Sequence, residues 1–255
     1  MTRTLDKRLS NQASEIQMPS LKTQRADVYA LLAKAGLGLV PFAGSLLSEL
    51  VVTIIPNQKI ERLVTFAEKL ESRLSSAERF LLDSQLKNEE LIGVLEEVIS
   101  QATRATSDER REYLAAVVAR GLTGEEIEHS ETRRILALLS ELNDAEIIML
   151  RFYLVRTING DKEFREKHKD IVLRYPPVIA APKIEKDKYA ITENYRIHLV
   201  SLGLLENEYR LDRETGQQEI DTFTHAPKVS SRRLTRMGKV FLEYIGLSDS
   251  ENELG

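Results

Sequence analysis

No cysteine and no tryptophan occurs among the 255 residues. Without thiols the chain has no disulfide, no thiolate nucleophile and no cysteine-ligated zinc, a usage that fits a reducing compartment. Histidine is scarce as well. His129, His168, His198 and His225 are scattered, and none stands three to five residues from another, so the spacing that puts two metal ligands on one helix face is missing. His129 and His168 sit in charged stretches and read as solvated, whereas His198 lies on an apolar helix and reads as a satisfied core histidine. Net charge is small: -4 gives no whole-protein attraction to DNA or to anionic lipid. Met1 to Ser20 holds no apolar run that could serve as a signal-peptide core, which makes the cytoplasm the expected compartment.

What is present suits a soluble protein of two domains. Hydrophobic residues make up 42% and charged residues 30%, an ordinary globular balance, and the length suffices for a sizeable core. The expected fold is mainly α. A flexible arm (1–20) precedes an N-terminal helical bundle (21–142) with an apolar αα-hairpin. A small α+β winged-helix-like domain (143–247) follows, and an acidic tail (248–255) ends the chain.

In the bundle region the clearest signal runs from Asn57 to about Leu82. Ile60, Leu63, Ala67, Leu70, Leu74, Ala77 and Leu81 alternate at steps of three and four, the seam of a helix that packs against its neighbours. A second helix turns Leu91, Ile92, Leu95, Val98, Ile99 and Ala102 inward. Thr106-Ser107-Asp108-Glu109 has the form of a capping box, and the helix it starts is expected to end at Gly121 in a left-handed conformation. Thr123 to Glu126 repeats the capping signal. Ile135, Leu136, Leu138, Leu139 and Leu142 form the next core face, and Asn143-Asp144-Ala145-Glu146 caps an apolar helix reaching Val155.

Beyond Asn159-Gly160, a short charged helix is expected over Asp161 to Leu173, then a proline-broken loop, then a helix from Lys186 to Leu202 ending at Gly203. Tyr209 and Leu211 alternate with polar residues. Arg213 to Gln217 makes a turn, and Ile220 and Phe223 lie on the returning strand. Arg233-Leu234-Thr235 leads into a last helix from Met237 to Ile245. Three helices, a hairpin and a strand are the order of a winged helix, here with a terminal helix added.

No residue constellation points to catalysis. Gly36 to Ser45 is glycine-rich and precedes a helix, but it lacks the lysine of a phosphate loop and follows a helix, not a strand. Neighbouring acids such as Glu96 and Glu97 read as a helix's wet face. No catalytic residue, metal ligand or cofactor is expected.

Two surfaces remain as candidates for binding. Gly36, Gly38, Pro41, Phe42 and Gly44 punctuate the apolar run 36–55, which also carries Glu49. Its length reaches the lower limit for crossing a bilayer, but Glu49 opposes insertion and the proline and glycines weaken a straight span. Burial as the bundle's central hairpin is the favoured reading, and a membrane-perturbing hairpin is the alternative. The second surface is basic. Lys186, Lys188, Thr192 and Arg196 lie on the candidate recognition helix, and Lys228, Arg232, Arg233, Arg236 and Lys239 form a run near the wing. Acids in the same region leave a small positive excess, and winged helices also serve as protein-binding modules.

Ala35 to Ser45, Gln101 to Arg104, Leu199 to Leu204 and Leu234 to Phe241 resemble bacterial proteins of the abortive-infection alpha type and related uncharacterised helical families with a winged-helix-like C-terminus. The resemblance covers most of the chain in outline and rests on glycine, proline and apolar positions. It implies a role in phage defence and brings no catalytic residue onto this chain. The expectation is therefore a non-enzymatic binding protein with a protein partner. A membrane-perturbing effector and a DNA-binding regulator are the alternatives, and a homo-oligomer is compatible with each.

Overall fold

The computed structural model describes residues 57–78, 88–123, 129–155, 161–173, 176–178, 180–222 and 225–247. The expected arm, the hairpin 36–55 with Gly36, Gly38, Pro41, Phe42, Gly44 and Glu49, the second capping signal at 124–126, the break at 159–160 and the tail from 248 lie outside those residues. So do Leu81 and Phe223.

The described chain is mainly helical with a small antiparallel sheet. In order it forms α1 (Asn57–Arg73), α2 (Glu89–Arg104), α3 (Asp108–Thr123), α4 (His129–Glu141) and α5 (Asp144–Phe152). The short helices α6 (Lys162–Lys167) and α7 (Lys169–Val172) follow, then the long α8 (Lys183–Ser201), strands β1 (Leu205–Tyr209) and β2 (Val229–Leu234), and α9 (Arg236–Tyr244).

The seam of α1 is as expected through Leu63, Ala67, Leu70 and Leu74, all buried, with Phe66 filling the step between. It stops earlier than its periodicity suggests. Ser75 restarts the chain locally: its amide donates to the Glu78 carboxylate at 2.6 Å and its hydroxyl accepts from the Glu78 amide at 3.3 Å. Ala77 is consequently exposed and is no part of the core. Helix α1 packs on α2 and α3, and α4 closes the group by packing on both.

Helix α3 departs from the sequence reading at both ends. Its cap is Ser107, one residue later than the expected Thr106, with the hydroxyl accepting from the Arg110 amide at 3.2 Å. The third helical position is thus an arginine, and no reciprocal acid closes a capping box. Arg110 serves another purpose. Its guanidinium donates to the Leu139 carbonyl at 2.6 Å, to the Leu142 carbonyl, and to Asp144 Oδ1 at 3.1 Å. One cation therefore satisfies carbonyls at the end of α4 and ties them to the start of α5. Gly121 is not a left-handed terminator; the helix continues to Thr123. A Cβ at Gly121 would lie 2.7 Å from Thr132 Oγ1, so glycine stands there because α3 and α4 approach closely.

Asn143 and Glu146 do form the expected capping box. Glu146 N donates to Asn143 Oδ1 at 2.9 Å, and Asn143 N donates to Glu146 Oε2 at 2.8 Å. The single helix expected over Asp161 to Leu173 is broken at His168 into α6 and α7. Helix α8 begins three residues earlier than expected, at Lys183 directly after Pro182, because proline is at home just ahead of a first turn. It ends where expected: Gly203 has φ +72°, Leu204 N donates to the Leu199 carbonyl at 3.0 Å and Gly203 N to the Val200 carbonyl at 2.9 Å.

Strand β1 pairs antiparallel with β2, from Leu205 opposite Leu234 to Tyr209 opposite Val229, with an irregularity between Glu208 and Tyr209. The main partner is therefore Val229–Leu234, not the segment around Ile220. That segment belongs to a smaller ribbon beyond the strands, where Leu211 bridges Gln218 and Ile220 bridges Pro227. The turn at Arg213 to Gln217 is present, with Asp212 Oδ1 accepting from the amides of Glu214 at 3.0 Å and Thr215 at 2.8 Å.

Two segments distant in sequence lock the C-terminal elements together. Thr235 caps α9 by accepting from Gly238 N at 2.9 Å, while its hydroxyl reaches the Gly203 carbonyl at 2.7 Å. A Cβ on Gly238 would stand 2.3 Å from the Leu204 carbonyl oxygen, so α9 sits against the β1 turn only because that side chain is absent. Buried apolar side chains from α1 to α5 and from α8, β1, β2 and α9 form one contiguous cluster, running from Leu63 to Ile245. Helix α9 reaches back to α3 to complete it.

Candidate interaction surface

The basic residues singled out from the sequence do not form one free cationic face. Thr192 is 1% exposed, with its hydroxyl donating back to the Lys188 carbonyl at 3.0 Å, so it faces the core and presents nothing to a ligand. Arg196 and Arg232 are mostly covered side chains that share the Glu193 carboxylate. Arg196 Nη1 lies 3.1 Å from Oε2, and Arg232 Nη2 donates to Oε1. Glu193 thereby clamps α8 to β2, and these arginines hold the fold together.

Further along the sheet, opposite charges meet in register. Arg233 stands across from Glu206, their side chains 2.7 Å apart. Glu219 takes both Lys228 at 2.7 Å and Arg210 at 3.1 Å. Hydrogen bonding from Lys228 chiefly holds the Glu219 carboxyl below the usual carboxylate range. Lys186 and Lys188 on α8, and Arg236 and Lys239 on α9, are exposed.

The exposed apolar side chains tell more. Among the described residues every large exposed hydrophobic side chain lies between Val178 and Val229. Val178, Ile184, Ile191 and Ile197 belong to α8 and the loop before it, and range from 51% to 73% exposed. Ile184 and Ile191 are seven residues apart and share a face. Tyr209, Leu211, Ile220 and Val229 belong to the ribbon. Tyr209 pairs with Val229 and Leu211 with Gln218, two residues before Ile220, so pleating puts these four on one side.

Sequence reasoning missed two clusters. The first joins α5 to α8: Glu146 is 3% exposed, and its Oε1 lies 2.7 Å from His198 Nδ1 while Oε2 completes the capping box. His198 is thus satisfied, as expected, but it is half-buried at the edge of the core. The signal was the capping box itself, since a boxed glutamate keeps one oxygen free for a partner that only the fold can supply. The second cluster surrounds Arg151. Its guanidinium lies 2.8 Å from Asp161 and 5.1 Å from the centre of the Phe164 ring. Asp161 sits at the start of α6 with φ +53° and makes no side-chain cap, because its carboxylate faces Arg151 instead. Asn159-Gly160 ahead of it suggested a turn, but nothing local suggested the partner.

Arg151 and Asp161 line a cavity of about 600 Å³ bounded by α3, α5, α6 and Leu247. Burial, then the nearby Asp144 and Glu109 charges, push the Tyr113 phenol up to about 12. His168 at the rim is half-buried against Phe164, 4.7 Å between ring centres, and is not the solvated residue the sequence suggested. Burial and then Lys167 lower its pKa below the ordinary histidine value, which keeps it neutral at pH 7.

Among the described residues, no three histidine or carboxylate side chains converge to hold a metal ion, and no helix is long and apolar enough to cross a membrane. Compared with protein-family models, with curated proteins and with solved structures, the chain matches none.

Proposed function

We propose that this chain acts by binding another protein through α8 and the adjoining ribbon. The observation that carries the reading is the confinement of all large exposed apolar side chains among the described residues to Val178–Val229. Scattered single residues of this kind are ordinary on protein surfaces, but Ile184 and Ile191 on one face of α8 and four apolar side chains on one side of the ribbon support a contact surface. The arrangement of charge supports it. Cations of the same region are matched locally by Glu193, Glu206 and Glu219, which suits a protein interface better than a polyanion. The resemblance to abortive-infection proteins extends the reading to a non-enzymatic role in phage defence.

The order α5, α6–α7, α8, β1, β2, α9 supports reading this region as a winged helix with α8 in the recognition position. A DNA-binding regulator is the second reading, favoured by the exposure of Lys186, Lys188, Arg236 and Lys239. One experiment separates the two. The intact protein is isolated from its host after in-cell crosslinking, alongside Ile184→Ser/Ile191→Ser/Leu211→Ser and Lys186→Ala/Lys188→Ala/Arg236→Ala variants. Protein binding predicts a partner retained by the basic variant and lost from the apolar one. DNA binding predicts affinity that falls steeply between low and moderate salt and disappears in the basic variant, and that outcome would replace the first reading with the second.

A further inference from the structure

We propose that the cavity between α3, α5 and α6 binds a small organic cation, an apolar body carrying a protonated amine. This site shares no residue with the apolar surface on α8 and the ribbon, so either can fail alone. At about 600 Å³ the cavity falls within the range of small-molecule sites, roughly 300 to 1,000 Å³. Its walls come from separate parts of the chain: Tyr113 from α3, Ile148 from α5, Phe164 from α6, and Leu247 after α9. That convergence gives an apolar body something to touch on several sides.

The charges decide what the body should carry. Arg151 is neutralised by Asp161 at 2.8 Å and covered by the Phe164 ring. Asp144 is already engaged by Arg110 at 3.1 Å. Lys167 is then set against two exposed carboxylates, Glu109 and Glu163. His168, its pKa lowered by burial and then by Lys167, adds no charge at neutral pH. The wall near Tyr113 lies in a negative field, since Asp144 and Glu109 both disfavour a phenolate there, with Arg110 opposing them more weakly. An anion entering this space meets repulsion. A neutral alcohol offers these carboxylates only an ordinary hydrogen bond, whereas an ammonium offers a charge-assisted one, roughly twice as strong.

The test uses the full chain with its isoleucine and leucine methyls isotope-labelled, titrated with phenethylamine and with its uncharged counterpart 2-phenylethanol. Saturable shifts of the Ile148 and Leu247 methyl signals are expected with phenethylamine, at an affinity about tenfold or more above that of 2-phenylethanol. Ile148→Trp should fill the cavity and abolish the shift of the remaining Leu247 signal while circular dichroism stays unchanged. Should that variant not fold, Glu109→Gln/Glu163→Gln removes two exposed charges and should bring the two affinities within about twofold of each other. Equal affinities for amine and alcohol in the unaltered protein would overturn the inference. So would shifts that survive in folded Ile148→Trp, or the absence of saturation up to about 50 mM phenethylamine.

Discussion

Helix α2 buries seven of its sixteen residues, whereas α8, with nineteen, buries only Thr192 and Leu199. Both are long, regular and rich in apolar side chains, so the difference lies in where those side chains stand. In α2 the apolar residues recur at steps that keep them on one face, and neighbours on α1, α3 and α4 cover them. In α8, Ile184 and Ile191 share a face while Ile197 stands roughly 120° round the helix from Ile191, and none of the three is covered by the described chain. Four helices close on one another to make the bundle. The C-terminal elements are held by a few specific locks, and they display what the bundle hides.

If locks matter most in the C-terminal part, the largest loss of stability should come from breaking one that involves backbone. Gly238→Ala places a methyl group 2.3 Å from the Leu204 carbonyl and 2.7 Å from a Leu234 methyl. Neither α9 nor the β1 turn can yield cheaply, so a loss of about 3 kcal/mol or more is expected in urea unfolding. Gly93→Ala is the control. Its new methyl meets only the guanidinium tip of Arg133, at 2.8 Å, which can swing away, and the change should be within about 0.5 kcal/mol of neutral.

The bundle should fail by ordinary cavity formation. Leu70 is 1% exposed among α1–α3 contacts, and Leu70→Ala is expected to lower stability by about 3 kcal/mol with an unchanged denaturant slope. Between these cases and a surface change lies Glu193→Ala. It leaves Arg196 and Arg232 without their shared carboxylate in a place where both side chains are mostly covered. A loss of about 1 to 2 kcal/mol is expected, with Glu193→Gln recovering part of it.

These contrasts also explain how far the sequence could be read. Apolar periodicity reports a helix whose one face is buried, which is why Leu63, Leu70, Leu95, Val98, Leu136 and Leu139 could be placed before any coordinates. Glycine and local polar signals reported helix ends at Asn143 and Gly203. They misreported Gly121, because a glycine needed for helix contact looks the same in sequence as one needed for a left-handed turn. The ribbon is legible as turns and alternation, and a strand is expected ahead of the last helix, but strand partners depend on long-range register, so the pairing of β2 with Leu205–Tyr209 is not. The basic surface failed for a similar reason. A run of arginines looks free until Glu193, on another element and 39 residues from Arg232, is folded against it.

A smaller effect is expected where α1 meets α3. Glu112 accepts from Lys69 at 3.0 Å and from Arg73 Nε at 2.8 Å. Burial works to raise its carboxyl, but hydrogen bonds from Lys69 and then Arg73, with their charges, outweigh burial and hold it below the usual carboxylate range. A depressed carboxyl stabilises the fold above its unfolded pKa, about 4.3, and that stabilisation is lost as pH falls through the folded value. Water screens a pair this exposed, so the contribution is a few tenths of a kcal/mol. Urea midpoints of the native protein and Glu112→Gln should differ slightly at pH 7 and converge as the pH falls through the lowered carboxyl's own range. A gap that persists in acid would mean that packing, not charge, distinguishes the two.

The smallest effect on folding is expected at Ile197, and it is the most telling. At 55% exposure on α8 the side chain has little burial to lose, so Ile197→Ser should shift the urea midpoint by no more than about 0.5 kcal/mol equivalent. A buried isoleucine changed in the same way would cost several times that, as Leu70 does in the bundle. If Ile197→Ser instead lowers stability by about 2 kcal/mol or more, some part of the chain outside the described residues covers α8, and the apolar surface is core. If the midpoint holds while the crosslinked partner is lost, the isoleucines of α8 are kept for contact with another protein, and the contrast between the two regions becomes a division of labour between stability and binding.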